Sequence, residues 1–168
     1  MSQRHPIVAV TGSSGAGTST VKIALEHVFQ RLNVNAAVVE GDSFHRYDRR
    51  EMRKQLKLAK KENRNLTHFG PEGNLFDKQY ELFQTYGESG TGMRRYYIHN
   101  EEEGELHGAK PGTFTEWKAL PPDTDLLFYE GLHGGVVTDE YNIREQVDLL
   151  IGVAPTINLE WIQKIKRD

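Results

Sequence analysis

Cysteine is absent from the 168 residues. That excludes a disulfide framework, a thiol switch and a cysteine-ligated metal. Charge of one sign is not in excess either: 21 Lys and Arg stand against 24 Asp and Glu, a net charge of −3. A duplex nucleic acid normally demands a basic surface, so this balance argues against one as the main partner. Mean hydropathy is −0.63, and no stretch approaches the roughly 18 apolar residues of a helical membrane span. Met1 to Pro6 lacks the pattern of a secretory signal, which sets a cationic stretch before a long apolar one and a cleavage site. The expectation is a cytoplasmic protein with no membrane partner. Repeats and low-complexity linkers are also missing. The length suits one domain, because a single core typically serves about 100–200 residues.

What is present alternates between buried-strand and helix patterns. Ile7 to Val10 is a short apolar run rich in β-branched residues, as a strand buried on both faces requires. Val21, Ala24, Leu25, Val28 and Leu32 follow at helical spacing and predict one apolar stripe. Ala36 to Val39 predicts a second buried strand, Leu126 to Tyr129 a third and Val147 to Val153 a fourth. The first three elements form a βαβ unit. The middle is more polar. Asp48 predicts the N-cap of a helix to about Asn63, with Met52, Leu56 and Ala59 on its apolar face. Pro71 predicts the start of a helix to about Tyr86 with Leu75, Phe76, Tyr80 and Phe83 inward, followed by a turn over Gly87 to Gly92. Met93 to His99 and Thr113 to Trp117 read as a strand pair, with Glu101 to Glu103 in a solvated loop between them. Thr156 leads into a helix carrying Ile157, Trp161 and Ile165. The expected fold class is α/β: a mainly parallel sheet flanked by helices, with a polar helical and hairpin insertion.

Between the first strand and the first helix lies Gly12-Ser13-Ser14-Gly15-Ala16-Gly17-Thr18-Ser19, followed by Thr20. Glycines let successive backbone N–H groups face one point, and the helix aims its unpaired N–H groups and positive dipole end at the same point. Strand before and helix after is the context in which such a loop binds phosphate. Ser19 occupies the position whose hydroxyl ligates Mg²⁺. The standard lysine is missing: Thr18 stands in its place. A cation must then reach the β/γ-phosphates from elsewhere if phosphoryl transfer is the function. Lys22 lies one helical turn on and is expected to face solvent. Lys164 and Arg167 are the better candidates.

Asp42 and Glu130 each follow a predicted strand, at its carboxyl end. Ligands of open parallel sheets bind outside those ends, so both acids should face the phosphate loop. Asp42 is the candidate base for an alcohol acceptor. Next to it stand His45, Arg46 and Arg49. An arginine grips phosphate bidentately, which suggests a phosphorylated acceptor. The plainer alternative is a basic solvated helix face. Lys164, Arg167 and Asp168 share a helix surface by spacing. They can serve the site or form a surface ion pair of small worth.

The phosphate loop, Glu40-Gly41-Asp42-Ser43-Phe44-His45-Arg46, Phe128-Tyr129-Glu130-Gly131-Leu132-His133-Gly134 and Asn158 to Asp168 together resemble the bacterial phosphoribulokinase family, within the uridine kinase-like P-loop kinases. The likeness spans essentially the whole chain, and a lysine-free loop fits that branch. It implies ATP- and Mg²⁺-dependent phosphorylation of the C1 hydroxyl of ribulose 5-phosphate to ribulose 1,5-bisphosphate, the CO₂ acceptor of the Calvin cycle. It implies Asp42 as catalytic base, Glu130 with Ser19 at the Mg²⁺-ATP site, Lys164 as the missing cation and Asp168 as a second essential acid. His45 and Arg49 would hold the sugar phosphate, assisted by Arg167. It further implies a homo-oligomer with NADH as activator and AMP as inhibitor, Arg31 matching a position tied to that regulation.

Two other readings share the loop. A uridine kinase-like nucleoside kinase would be expected to carry a lysine at position 18. A non-catalytic nucleotide-binding module would have no need for Asp42, Glu130 and Lys164 together. Related kinases run well past the length of this chain, whose last motif ends in a helix pattern without a stop signal. Residues 1–168 are therefore expected to be the N-terminal part of a longer kinase domain, poorly stable and inactive alone.

Overall fold

The computed structural model describes residues 5–156 together with Ile162, Ile165 and Lys166. Lys164, Arg167 and Asp168 lie outside the described residues, as do Ile157 and Trp161 of the predicted final helix. Among the described residues, four strands form one parallel sheet: β1 (Ile7–Gly12), β2 (Ala36–Glu40), β5 (Leu126–Glu130) and β6 (Leu149–Val153). Their order is β2-β5-β1-β6. A short antiparallel pair, β3 (Met93–Arg94) and β4 (Lys118–Ala119), stands apart from that sheet.

Parallel strands covered on both faces need apolar side chains on both, and these strands have them. Ile7, Ala9, Ala37, Val39, Leu127 and Tyr129 form one buried face. It is covered by helix α3 (Phe76–Ser89) through Leu82, Phe83 and Tyr86, with Phe83 edge-on to Tyr129 at 5.4 Å between ring centroids. On the opposite face helix α1 (Thr18–Arg31) sets Phe29 edge-on to Phe128 at 5.3 Å. The expected stripe of α1 is rotated. Val28 and Leu32 are exposed, and among the described residues α1 has no fully buried side chain. The large Phe29 ring, outside the predicted set, makes the sheet contact.

The polar insertion holds three corrections. Helix α2 (Arg49–Lys61) starts as expected, its Asp48 cap accepting the Glu51 N–H at 2.7 Å, with Met52 and Ala59 buried. Pro71, however, opens a 3-10 turn over Pro71–Gly73, and α3 begins only at Phe76. Asn74 intervenes, buried, with its side-chain N–H groups donated to the carbonyls of His68 and Gly70. The predicted turn at Gly87 is still helix, which stops where Gly90 takes a left-handed φ of 70°. Glu101 to Glu103 are not a loop but the first turn of helix α4 (Glu101–His107). Asn100 caps it by accepting the Glu103 N–H at 2.9 Å, and three acids at a helix N-terminus complement its dipole. The hairpin pairing is real but frayed: its ladder joins Met93–Arg94 to Lys118–Ala119, with single backbone bonds and a bridge between Tyr97 and Phe114 beyond it.

Phe83 is fully buried at the centre of the sheet–α3 contact. Phe83→Ala should therefore lower the unfolding free energy of the intact protein by about 3–5 kcal/mol in urea titration. A loss below about 1 kcal/mol would show that this contact is not the core.

Candidate active site

Register decides which side chains meet. Glu130 at the end of β5 pairs with Val10 of β1 and Glu40 of β2. β5 and β2 therefore end side by side, in the Gly131–Gly134 turn and the Gly41–Phe44 3-10 turn, while β1 runs on along β6 to Gly12 before it opens into the phosphate loop. Gly41 and Gly131 sit back to back. A Cβ on Gly41 would lie 2.5 Å from Tyr129 Oη and 3.0 Å from Gly131 Cα. Only glycine allows that approach.

These turns enclose a cavity of about 860 Å³. Gly12, Ser13, Ser14, Gly15, Gly17, Thr18, Ser19 and Thr20 line it, joined by Asp42, His45 and Glu130. Ala16 is buried behind the loop. Gly17 caps α1 with a left-handed φ of 95° and without a side-chain cap. No side-chain oxygen caps the first turn, whose Thr18, Ser19 and Thr20 line the cavity, and this suits an anion; the Thr20 N–H is donated to the Gly17 carbonyl at 3.0 Å. Arg49 does not line the cavity; it donates to the His99 carbonyl at 3.4 Å. Arg31 lies exposed at the far end of α1.

Asp42 is ringed by imidazoles. His45 Nε2 lies 3.3 Å from one carboxylate oxygen and His99 Nε2 3.7 Å from the other. His45 Nδ1 meets Asn74 Oδ1 at 3.0 Å. Both N–H groups of Asn74 are already donated to carbonyls, so its oxygen can only accept. Both ring nitrogens of His45 thus face acceptors, and the arrangement is complete only in the doubly protonated ring. Burial alone would lower the His45 pKa, but the Asp42 hydrogen bond and charge override it and raise the value above 6.5. The Asp42 side chain stays half exposed to the cavity; desolvation by its surroundings acts to raise its value, but the His45 hydrogen bond and the charges of His45, His99 and His133 hold it below 3.8. Glu130 is raised, first by burial and then by the charge of Glu40, partly offset by Thr18 and Lys22.

Lys22 corrects the expectation that it faces solvent. Its side chain is four-fifths buried, lines the cavity and pairs with Glu40. Nothing in helical spacing revealed that Glu40 stands opposite. His68, His99 and His133 were also missed as lining residues. His68 and His99 come from the polar insertion. His133 lay inside a quoted motif, and its Nε2 donates to the Phe69 carbonyl at 3.0 Å.

A phosphate loop and an aspartate–imidazole pair sharing one cavity suit phosphoryl transfer to an alcohol. The comparisons with known proteins agree. Residues 7–168 match the model of the phosphoribulokinase / uridine kinase family. The chain belongs to this family. Among curated phosphoribulokinases, the plasmid form of Cupriavidus necator is 60% identical and that of Nitrobacter vulgaris 56%, each over the whole of this chain. The solved phosphoribulokinase of Rhodobacter spheroides superposes with a TM-score of 0.87 at 46% identity, covering 99% of this chain and 57% of that one. The chain spans 58% of the length of the curated phosphoribulokinases it matches. The α/β P-loop kinase fold is thereby established for the family member described here.

Two predictions follow from the geometry. Gly41→Ala should destabilise the protein, and Tyr129→Phe, by removing the hydroxyl the new methyl meets, should recover part of the loss in a double variant; strict additivity in urea titrations would refute the contact. The second concerns pH. His45 has a raised value, so its contribution is full below 6.5 and fades as pH rises through that raised value. Asp42 has a lowered value, so its contribution is full above 3.8 and fades as pH falls through the lowered one. The pair is thus strongest between those two ordinary values. NMR titration should place His45 above 6.5, and Asp42→Asn should bring it down; a His45 midpoint unmoved by that change would break the assignment.

Proposed function

We propose that the protein containing this chain transfers the γ-phosphoryl group of ATP to the C1 hydroxyl of ribulose 5-phosphate. The products are ribulose 1,5-bisphosphate, the CO₂ acceptor of the Calvin cycle, and ADP. The observation that carries this reading is the shared cavity: the phosphate loop, Asp42 and His45 line one space, in a chain more than half identical to phosphoribulokinases.

In this reading the backbone N–H groups of the loop and of the first turn of α1 cradle the β- and γ-phosphates. Asp42 accepts the proton of the C1 hydroxyl as its oxygen bonds to the γ-phosphorus and the bond to the β-phosphate oxygen breaks. Its lowered pKa keeps it ionised at neutral pH, ready to accept. The His45 imidazolium orients that carboxylate and offers positive charge to the sugar phosphate; Arg49 lies beyond it, next to His99. Mg²⁺ fits the residues present. Ser19 offers a hydroxyl and Glu130 a carboxylate beside the loop, and Mg²⁺ is typically held by one or two carboxylates with substrate phosphates and water. When bound there, it would neutralise phosphate charge. Among the described residues no cluster of three His, Asp or Glu forms a separate metal cage. Lys164, Arg167 and Asp168 complete the proposed set, as the missing cation, a substrate contact and a second acid.

A coupled ATP-turnover assay of the intact protein should show turnover with ribulose 5-phosphate; turnover with uridine alone would select the nucleoside kinase reading instead. In the same assay Asp42→Asn should lower kcat by about 10²–10⁴-fold while ATP affinity stays within about twofold. A loss chiefly of ATP affinity would refute the base.

A further inference from the structure

The 3-10 turn that carries Asp42 is held from two sides. Backbone bonds hold it on one: Arg46 N–H to Gly73 O at 2.8 Å and Leu75 N–H to Phe44 O at 2.8 Å. On the other side stands one side chain of the hairpin insertion. Arg95, the residue after β3, donates Nε to the Ser43 carbonyl at 2.8 Å and Nη2 to the His45 carbonyl at 2.7 Å. Its guanidinium lies 3.7 Å over the Phe114 ring and 4.8 Å from that of Trp117. Trp117 in turn packs on Phe44, inside the turn, at 5.9 Å between centroids. Neighbouring Arg94 ties the same hairpin to the edge strand β2 through the Val38 carbonyl at 2.5 Å.

Among the described residues no carboxylate pairs with Arg95. Half-burial without an ion partner is costly, and desolvation pulls its pKa down to about 10. Aromatic stacking offsets part of that cost. A planar fork whose two donors reach two carbonyls at a fixed spacing is a property of arginine, which lysine lacks. The two carbonyls, of Ser43 and His45, bracket Phe44; Asp42 immediately precedes the first, and His45 itself carries the second.

We propose that Arg95 is a positioning residue. Its stacked guanidinium fork fixes the turn from Ser43 to His45 and thereby the angle at which Asp42 and His45 face the cavity. This rests on Asp42 being the base. Arg95 touches neither substrate in this account; it acts through the turn.

The test is a double-mutant cycle in the intact protein. Arg95→Met should lower kcat with ribulose 5-phosphate by about 100-fold, the scale expected for a displaced catalytic group, with affinity for a non-hydrolysable ATP analogue within about twofold. In an Asp42→Asn background the same change should cost less than about threefold, because the group it positions is gone. A full loss in that background, or an unchanged kcat in the single variant, overturns the proposal. Should Arg95→Met fail to fold, Phe114→Leu withdraws the stack and keeps the fork; a smaller kcat loss, again absent with Asp42→Asn, is expected, and an additive loss overturns it. Amide hydrogen exchange over residues 41–48 separates the clamp from the choice of acceptor. Faster exchange there in Arg95→Met is expected whatever the substrate, and unchanged exchange overturns the proposal. A wild-type protein inert toward ribulose 5-phosphate overturns only the function on which it rests.

Discussion

Everything at the cavity depends on β5 lying in parallel register between β1 and β2. That pairing sets Glu130 level with Val10 and Glu40, so the ends of β5 and β2 lie beside the last residues of β1 that lead into the phosphate loop. A one-residue slip of β5 would turn its side chains to the opposite face. Tyr129 would leave the α3 side and Glu130 would point elsewhere. The contacts of Phe128 with Phe29 on one face and of Tyr129 with Phe83 on the other hold β5 against that slip. Core packing is thus also the device that brings the phosphate loop, Asp42 and Glu130 to one edge.

Charge at that edge is arranged in pairs. Lys22 meets Glu40 and His45 meets Asp42. Three acids at adjacent strand ends would repel one another if left alone; the raised value of Glu130 comes first from its burial and then from the charge of Glu40. Asp42 escapes it because imidazoles surround it. One carboxylate is therefore kept ionised beside imidazoles and another, with a raised value, stands next to the phosphate loop, a difference made by environment.

Much of this was legible in the sequence, for local reasons. β-branched runs marked the strands, glycine spacing the loop, and Asp48 the cap of α2. Asp42 and Glu130 followed from strand ends alone, because a parallel sheet gathers its carboxyl ends. The misses have different causes. Helix α4 carries its signals, Asn100 with Glu103 and then Gly108, but its run of three acids equally fits a solvated loop. The start of α3 depended on Asn74 being buried and bonded to His68 and Gly70, a tertiary fact. Lys22, His68, His99 and Arg95 reach the site through long-range folding of the insertion or across the sheet, and periodicity carries no record of that.

The central claim is that one cavity brings the γ-phosphate of ATP to a phosphorylated sugar beside Asp42. Phosphorus NMR of the reaction of the intact protein with ATP and ribulose 5-phosphate tests it most directly. The account predicts a second phosphomonoester resonance on the sugar, at C1, growing in step with ADP. ADP growing in step with free inorganic phosphate, and no new sugar resonance, would contradict it.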